Sequence, residues 1–190
     1  MKLLGVEYTP AGEQGLVVLG DHALLRDNGD FYVPSFITRL SCVPQLVFRI
    51  CRVGKGIAPR FASRYTGEMG VGIRFYAENL LEEARVKGVP PDMAMGFDHA
   101  AALSSLRLPA AGEGDPCYAF EVNGEEQFRG HLSGLPLSLD RQIALFSSYC
   151  LLKVGDLLYC GNPFRSSGLL PGDRLRLSLE GICLLDFFVR

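Results

Sequence analysis

The chain has 190 residues, of which 48% are apolar and 21% charged, and its formal net charge is −2. This composition excludes a disordered chain and is typical of a globular protein with a sizeable core. The balance of 19 basic against 21 acidic residues argues against a general electrostatic footprint for nucleic acid or for a membrane surface. We therefore expect neither as a partner.

Targeting signals are not evident in the sequence. No apolar run reaches the roughly 18 residues that a membrane-spanning helix needs. The first residues, MKLLGVEYTPAGEQ, are too polar for a signal peptide. We expect a cytoplasmic protein that forms one domain over residues 1–190.

Short β-type runs separated by turn signals predict nine strands. In chain order they are Lys2–Val6, Leu16–Leu19, Leu46–Val53, Gly70–Tyr76, Cys117–Val122, Gln127–Arg129, Leu157–Cys160, Arg174–Leu179 and Ile182–Phe187. Asn123-Gly124 predicts a tight hairpin, because both residues accept the positive φ of a type I′ turn. Alternating leucines after the Pro171-Gly172-Asp173 turn indicate a half-buried strand.

Two helices are predicted between these strands. One covers Asn79–Lys87 and is followed by Gly88, which suits a left-handed C-terminal residue. The other begins at Ser138 or Leu139 and ends at Cys150, with apolar residues recurring on one face. A shorter helix is expected over Ala58–Arg64. Many strands and few helices predict a β-rich α+β domain.

Six cysteines are present, at positions 42, 51, 117, 150, 160 and 183. None forms a C-x-x-C pair, and no histidine lies at zinc-finger spacing. Most lie in apolar runs, so we interpret them as buried free thiols.

The segment RFYAENLLEEARVKGVPPDMAMGFDH, from Arg74 to His99, resembles the central segment of the fumarylacetoacetate hydrolase family. In that family it reads roughly D-x-T-A-R-D-L-Q, a helix, K-G-L-P-W and K-G-F-D. FEVNGEEQFRG resembles the family hairpin V-N-G-E-x-x-Q-x-G, and KVGDLLYCGNP resembles L-x-x-G-D-L-I-x-T-G-T-P. LLPGDRLRLSLEGICLL resembles the closing P-G-D-x-x-x-x-x-I-E-G-x-G-x-L.

The resemblance covers most of the chain and implies the β-roll of the family's C-terminal domain and homodimerisation. The N-terminal active-site loop is shortened to YTPAGEQG. Relatives typically hold Mg²⁺ or Mn²⁺ with three carboxylates, two from E-x-E and one from the Asp of D-x-T. By the resemblance, these positions are occupied by Val43, Gln45 and Arg74. An arginine repels a dication, so we expect no metal at a site of the family type and no other cofactor.

Other family positions have changed as well. Met95 stands where relatives carry a Lys that holds or polarises the substrate. Asn162 lies in the turn that reads T-G-T-P in the family, and His131 lies in the G-N-T-x-D-M segment. Glycines and prolines remain, which suggests that the fold is kept while the chemistry has changed. Gln45, Arg74, Met95 and Asn162 are the candidate ligand-binding residues.

Each candidate catalytic residue has a structural alternative. Arg74 could bind a carboxylate through its guanidinium, or could neutralise Glu78 or another nearby acid. His131 or His99 could move protons near neutral pH, or could be a polar loop residue. Asp98 matches the family's G-F-D, and could equally accept backbone hydrogen bonds in a turn.

Two functions remain open from the sequence. The first is a catalytically inactive homologue that acts as a partner subunit or as a small-carboxylate-binding module. The second is an active, metal-independent hydrolase, decarboxylase or tautomerase on a small oxo-acid of the acylpyruvate type. In the second case Arg74 would bind the substrate carboxylate, and His131 or Asp98 would transfer protons.

Overall fold

The structure is a computed structural model that describes residues 1–8, 14–110 and 114–190. It contains two β-sheets and two α-helices, which confirms the β-rich α+β class. The helices are α1 (Glu78–Lys87) and α2 (Leu139–Tyr149). The strands are β1 (Lys2–Tyr8), β2 (Gln14–Gly20), β3 (Leu24–Leu25), β4 (Leu40–Ile50), β5 (Thr66–Ala77), β6 (Ala101–Leu103), β7 (Cys117–Val122), β8 (Glu125–His131), β9 (Leu157–Cys160), β10 (Ser166–Leu169), β11 (Arg174–Leu179) and β12 (Ile182–Phe188).

The larger sheet has the order β2-β1-β9-β4-β5-β6-β3, with β10 paired to the end of β4. The smaller sheet has the order β12-β11-β7-β8. Phe75 on β5 stacks on Phe31 and meets Phe187 of β12 at a ring-centroid distance of 6.3 Å. One face of the larger sheet therefore forms the main core against the smaller sheet.

The opposite face of β4 and β5 is also buried. Val43 is paired directly with Arg74, and Gln45 is paired with Gly72. Since successive side chains alternate between faces, these residues lie on the face opposite to Phe75. Gln45 and Arg74 are each 1% exposed, so the larger sheet encloses polar side chains.

Pro44 lies inside β4, where a proline cannot donate a hydrogen bond. Its position falls between the part of β4 that pairs with β10 and the part that pairs with β9. The Asn162 side chain fills this gap by donating to the Pro44 carbonyl at 2.5 Å. Asn162 is also 3.2 Å from the Tyr118 hydroxyl and accepts a hydrogen bond from the Phe164 amide.

Most predicted elements are present with shifted ends, and some predictions were wrong. Residues 51–53 are not in a strand, whereas residues 40–45 are. The short helix predicted over Ala58–Arg64 is present as a 3₁₀ helix over Pro59–Arg64. The three short strands β3, β6 and β10 were missed. Asn123, Gly124 and Gly88 have the positive φ that their turns require, which confirms the hairpin and the end of α1.

All six cysteines are free thiols. Cys42 and Cys160 are buried, whereas Cys51 and Cys183 are exposed, so the prediction of buried thiols was wrong for the latter pair. None of the described helices is long and apolar enough to cross a membrane. The shortened loop falls largely on residues 9–13, which lie outside the described residues.

Candidate functional site

A cavity of about 660 Å³ opens beside β1 and α1. This volume is within the range of small-molecule sites, about 300–1,000 Å³. Its apolar part includes Tyr8, Tyr76, Leu81 and Met95. The charged lining residues described are three glutamates and three arginines: Glu7, Glu78, Glu82, Arg39, Arg85 and Arg165.

Arg74 lies beneath this cavity and binds Glu7. Its Nη1 donates to Glu7 Oε1, and the two side chains are 2% and 17% exposed. The Tyr76 hydroxyl donates to the other Glu7 oxygen at 2.6 Å. Burial alone would lower the pKa of Arg74, but the Glu7 charge and the neighbouring tyrosines outweigh this effect, and its pKa lies above the ordinary value. Arg74 is therefore a cation that neutralises Glu7.

Arg165 forms the wall above this pair. It donates to Glu78 at 2.7 Å, and its Nη2 is 3.8 Å from Glu7. Its guanidinium lies 4.0 Å from the centroid of the Tyr76 ring, which is cation–π geometry. Glu78 also accepts a hydrogen bond from the Ser41 hydroxyl. Glu7, Arg74, Arg165 and Glu78 thus form one connected network along the cavity.

Several buried polar atoms on the same face of β4 and β5 lack a hydrogen-bond partner among the described residues. Both side-chain atoms of Gln45 and the Nε and Nη2 of Arg74 have no hydrogen-bond partner among the described residues. Leaving a buried polar group unpaired costs about 1–3 kcal/mol. The buried face that carries Val43, Gln45 and Arg74 is therefore a polar enclosure: it contains hydrogen-bond donors on Gln45 and Arg74, and an acceptor on Gln45, that no described residue binds.

The structure brings some of the sequence candidates together and separates others. Met95 lines the cavity, Arg74 bonds to the lining residue Glu7, and Gln45 lies on the same face of the sheet as Arg74. Asn162 is buried and its amide bridges β4 to the adjacent turn, which is a structural role. Asp98 and His131 are exposed and are not among the residues that line the cavity.

His99 is also exposed and has a φ of 63°. His131 Nδ1 is 3.8 Å from Asp115, outside the cavity lining. The sequence reasoning missed Glu7 and Arg165, which are central to the network. Glu7 is one acid in an apolar strand and gave no signal. Arg165 follows the Gly161-Asn162-Pro163 turn, and the family turn motif could have directed attention to it.

Residues 6–190 match the family described as fumarylacetoacetate (FAA) hydrolase C-terminal. The chain therefore belongs to this family. It is 27% identical over 180 residues to an uncharacterised protein of Pyrococcus abyssi, covering 93% of this chain and 80% of that protein. It is 24% identical over 161 residues to the mitochondrial oxaloacetate tautomerase of Mus musculus, covering 83% of this chain and 72% of the relative.

Solved structures show the same fold. A putative fumarylpyruvate hydrolase from Burkholderia cenocepacia has a TM-score of 0.89 at 26% identity, and the match covers all of this chain and 88% of that one. The fumarylpyruvate hydrolase of Pseudomonas aeruginosa, in complex with Mn²⁺ and pyruvate, has a TM-score of 0.87 at 20% identity, with coverage of 100% and 88%. At that identity, the likeness to the Pseudomonas protein shows the fold alone.

The donors at the three positions inferred from the resemblance do not fit a divalent cation. Val43 offers no ligand atom, Gln45 offers one neutral oxygen, and Arg74 is a cation. A pair of unit charges at about 4 Å interacts by about 4 kcal/mol at an effective dielectric of 20, so Arg74 would repel a metal there. Among residues 1–8, 14–110 and 114–190, no three His, Cys, Asp or Glu side chains are arranged to hold a metal.

Proposed function

We propose that this protein has lost the metal-dependent catalytic activity of its family. In its place, the cavity beside α1 binds a small carboxylate, and the protein acts as a binding module or as a partner subunit in the cytoplasm. The observation that carries this proposal is the buried Arg74–Glu7 ion pair. It places a cation at one inferred metal position and commits the nearby Glu7 carboxylate to that cation.

The charges of the site favour an anionic ligand. Three glutamates oppose three arginines on the cavity lining, and Arg74 beneath adds one further positive charge. Arg85 lines the cavity near Glu82, whose pKa is lowered by its hydrogen bond to Arg39 and, to a smaller extent, by the Arg85 charge. Arg85 is not in a direct ion pair with any residue that the structure describes. Arg165 lies over the Tyr76 ring and bonds to Glu78, which restricts the positions of its donors. Guanidinium groups bind carboxylates through paired hydrogen bonds.

Calorimetric titration of the metal-stripped protein with Mg²⁺ and Mn²⁺ tests the first half of the proposal. We expect no saturable binding at one site per chain. Micromolar binding that the Arg74→Ala substitution strengthens would overturn the proposal, because it would place the metal in the same enclosure.

Titration with pyruvate and with oxalate in the presence of EDTA tests the second half. We expect saturable binding that Arg85→Ala weakens by about tenfold, the effect of losing one charge-assisted hydrogen bond. Lys87→Ala is the matched control, since Lys87 is on the same helix, pairs with Glu83 and does not line the cavity. Equal affinities in the two variants would contradict carboxylate binding at this cavity.

A second candidate is a metal-independent tautomerase, favoured by the contact between Glu7 and Tyr76 at the cavity wall. Tautomerisation moves a proton from carbon to a carbonyl oxygen, which needs a base and an acid but no electrophile. In enolisation Glu7 would take the carbon proton and Tyr76 would supply one to oxygen. In the reverse, enol-to-keto direction the protonated Glu7 would return a proton to carbon and the Tyr76 phenolate would take the one from oxygen. Enol-to-keto conversion of oxaloacetate in EDTA, lost in Glu7→Gln and in Tyr76→Phe, would favour this function over simple binding.

We also propose that the protein is a homodimer, on the strength of the family resemblance. Light scattering coupled to gel filtration measures the mass in solution. A mass equal to the 20.8 kDa chain would contradict dimerisation.

A further inference from the structure

A strongly basic surface lies on the side of the molecule that carries α2. It is formed by two segments, residues 51–65 and 142–155, neither of which contains an aspartate or glutamate. Five exposed cations belong to it: Arg52, Lys55, Arg60, Arg64 and Lys153. We call these residues the basic face. The chain as a whole has a net charge of −2, so its charges are unevenly divided, and its overall charge does not argue against a membrane surface at this face.

Direct contacts join the two segments into one surface. Gly54 and Leu152 form an antiparallel bridge, and the Ile57 amide donates to the Ser147 hydroxyl at 2.9 Å. The bridge places Val53 opposite Lys153 and Lys55 opposite Leu151. The segments are therefore packed side by side, which brings their exposed cations into one region of the surface.

Large apolar side chains are exposed between these cations. Val53 is 55% exposed, Leu151 is 43% exposed and Val154 is 65% exposed. Exposed aliphatic groups within a positively charged rim match a surface whose outer layer is anionic and whose interior is apolar. We propose that the basic face docks this protein on anionic lipid, with Val53, Leu151 and Val154 entering the headgroup boundary.

Other occupants fit the face less well. The Phe61 ring, which could stack on a base, is already covered by Arg60 and Arg64, with guanidinium-to-centroid distances of 4.8 and 4.9 Å. Single-stranded nucleic acid relies on several free aromatic faces, whereas only one exposed ring of these segments, Tyr149, lacks such a cover and the other exposed apolar groups are aliphatic. A second copy docked symmetrically through the same face would bring like charges together, which is unfavourable.

Cosedimentation with vesicles tests the proposal on the full chain. The vesicles are phosphatidylcholine alone, or phosphatidylcholine with about 30 mole per cent phosphatidylserine, which carries the charge of an anionic leaflet. We expect binding only to the second kind. It should disappear near 1 M salt, where the Debye length falls to about 3 Å.

Substitutions separate the two parts of the surface. Lys55→Glu/Lys153→Glu should weaken vesicle binding by at least about 25-fold, since each basic residue lost at such a surface forfeits about a fivefold gain and each added glutamate opposes binding further. Lys87→Glu/Arg129→Glu is the matched control, because it changes the net charge equally on α1 and β8 and should leave binding unchanged. Val53→Ser/Val154→Ser should also weaken binding, and the circular dichroism of every variant should match that of the native chain.

Several results would overturn the proposal. These are absence of binding to phosphatidylserine vesicles, equal loss in the control variant, and unchanged binding in Val53→Ser/Val154→Ser. Binding of a fluorescent single-stranded oligonucleotide by the native chain, lost in Lys55→Glu/Lys153→Glu while vesicles remain unbound, would assign the face to nucleic acid instead.

Discussion

Arg74 on β5 bonds to Glu7 on β1, although β9 and β4 lie between these two strands in the sheet. Neighbouring strands are about 4.8 Å apart, so β1 and β5 would be about 14 Å apart in a flat sheet. The larger sheet must curl strongly for the two side chains to meet. Gly5 permits this approach, because a Cβ at that position would collide with the Arg74 guanidinium. The ion pair thus forms only because the larger sheet is curved, and it links β1 to β5 across the two strands between them.

Removal of the buried cation should destabilise the fold strongly. Arg74→Ala would leave Glu7 in a largely enclosed site with less of its charge neutralised, and breaking a buried pair costs about 3–5 kcal/mol. Arg39→Ala is a suitable control, because Arg39 pairs with Glu82 on the surface and such pairs contribute about 1 kcal/mol or less. Urea unfolding followed by circular dichroism measures both. Equal losses would show that the Arg74–Glu7 pair is not a stabilising element of the sheet.

Restoring carboxylates at the three inferred metal positions should create a metal site. The substitution Val43→Glu/Gln45→Glu/Arg74→Asp places three acids on one buried face of β4 and β5. We expect saturable Mn²⁺ binding in calorimetry that the native chain lacks, since hard cations prefer anionic oxygen ligands.

The neutral variant Val43→Gln/Arg74→Asn controls for side-chain size without adding negative charge. A folded triple variant that binds no Mn²⁺ would mean that the family positions were assigned to the wrong residues of this chain.

The sequence was sufficient to predict the fold class, because the turns that define it are local. Asn123-Gly124 and Gly88 need a positive φ that few residues accept, and both have it in the structure. The strand at residues 40–45 was missed because Pro44 argues against a strand when it is read locally. Only the tertiary structure shows that this proline lies where β4 changes partner, and that Asn162 bridges the gap.

The candidate site was harder to predict from the sequence than the fold class. Val43, Gln45 and Arg74 were placed on one site by the resemblance, and the structure puts them on one face. The acid that neutralises Arg74 could not be predicted. Glu78 is close in sequence, yet it pairs with Arg165, while Arg74 pairs with Glu7, 67 residues away. Which acid pairs with Arg74 depends on the curvature of the larger sheet. The pattern of residues along the sequence does not predict that curvature.

Stability should fall at high pH because of three buried tyrosines. Burial raises the pKa of Tyr76, Tyr118 and Tyr159 above the ordinary value of 10. In the unfolded chain these phenols lose their protons near pH 10, while in the folded chain they keep them. The unfolded state then binds fewer protons, so their contribution is complete below pH 10 and is lost as the pH rises above it.

Urea unfolding at several values between pH 8 and about pH 11 checks this expectation, since tyrosines titrate near pH 10 when unperturbed. Ultraviolet titration should show Tyr76, Tyr118 and Tyr159 ionising above pH 10, because burial raises the pKa of each. Tyr159→Phe should make the pH dependence shallower. An unfolding free energy that stays constant through this range would refute the burial of these phenols.

Two buried glutamines offer a test of whether the polar enclosure serves a ligand. Gln45 has no hydrogen-bond partner among the described residues, whereas Gln142 donates to the Leu137 carbonyl at 2.7 Å. If Gln45 has no role beyond packing, Gln45→Leu removes two unpaired polar atoms and should raise the free energy of unfolding by about 1 kcal/mol. Gln142→Leu loses the Nε2 hydrogen bond but also removes an unpaired Oε1, so it should not raise the free energy of unfolding as Gln45→Leu does. A stabilised Gln45→Leu variant that also loses pyruvate binding would show that the native chain keeps a costly buried amide for its ligand, whereas unchanged binding would limit the ligand to the cavity above Arg74.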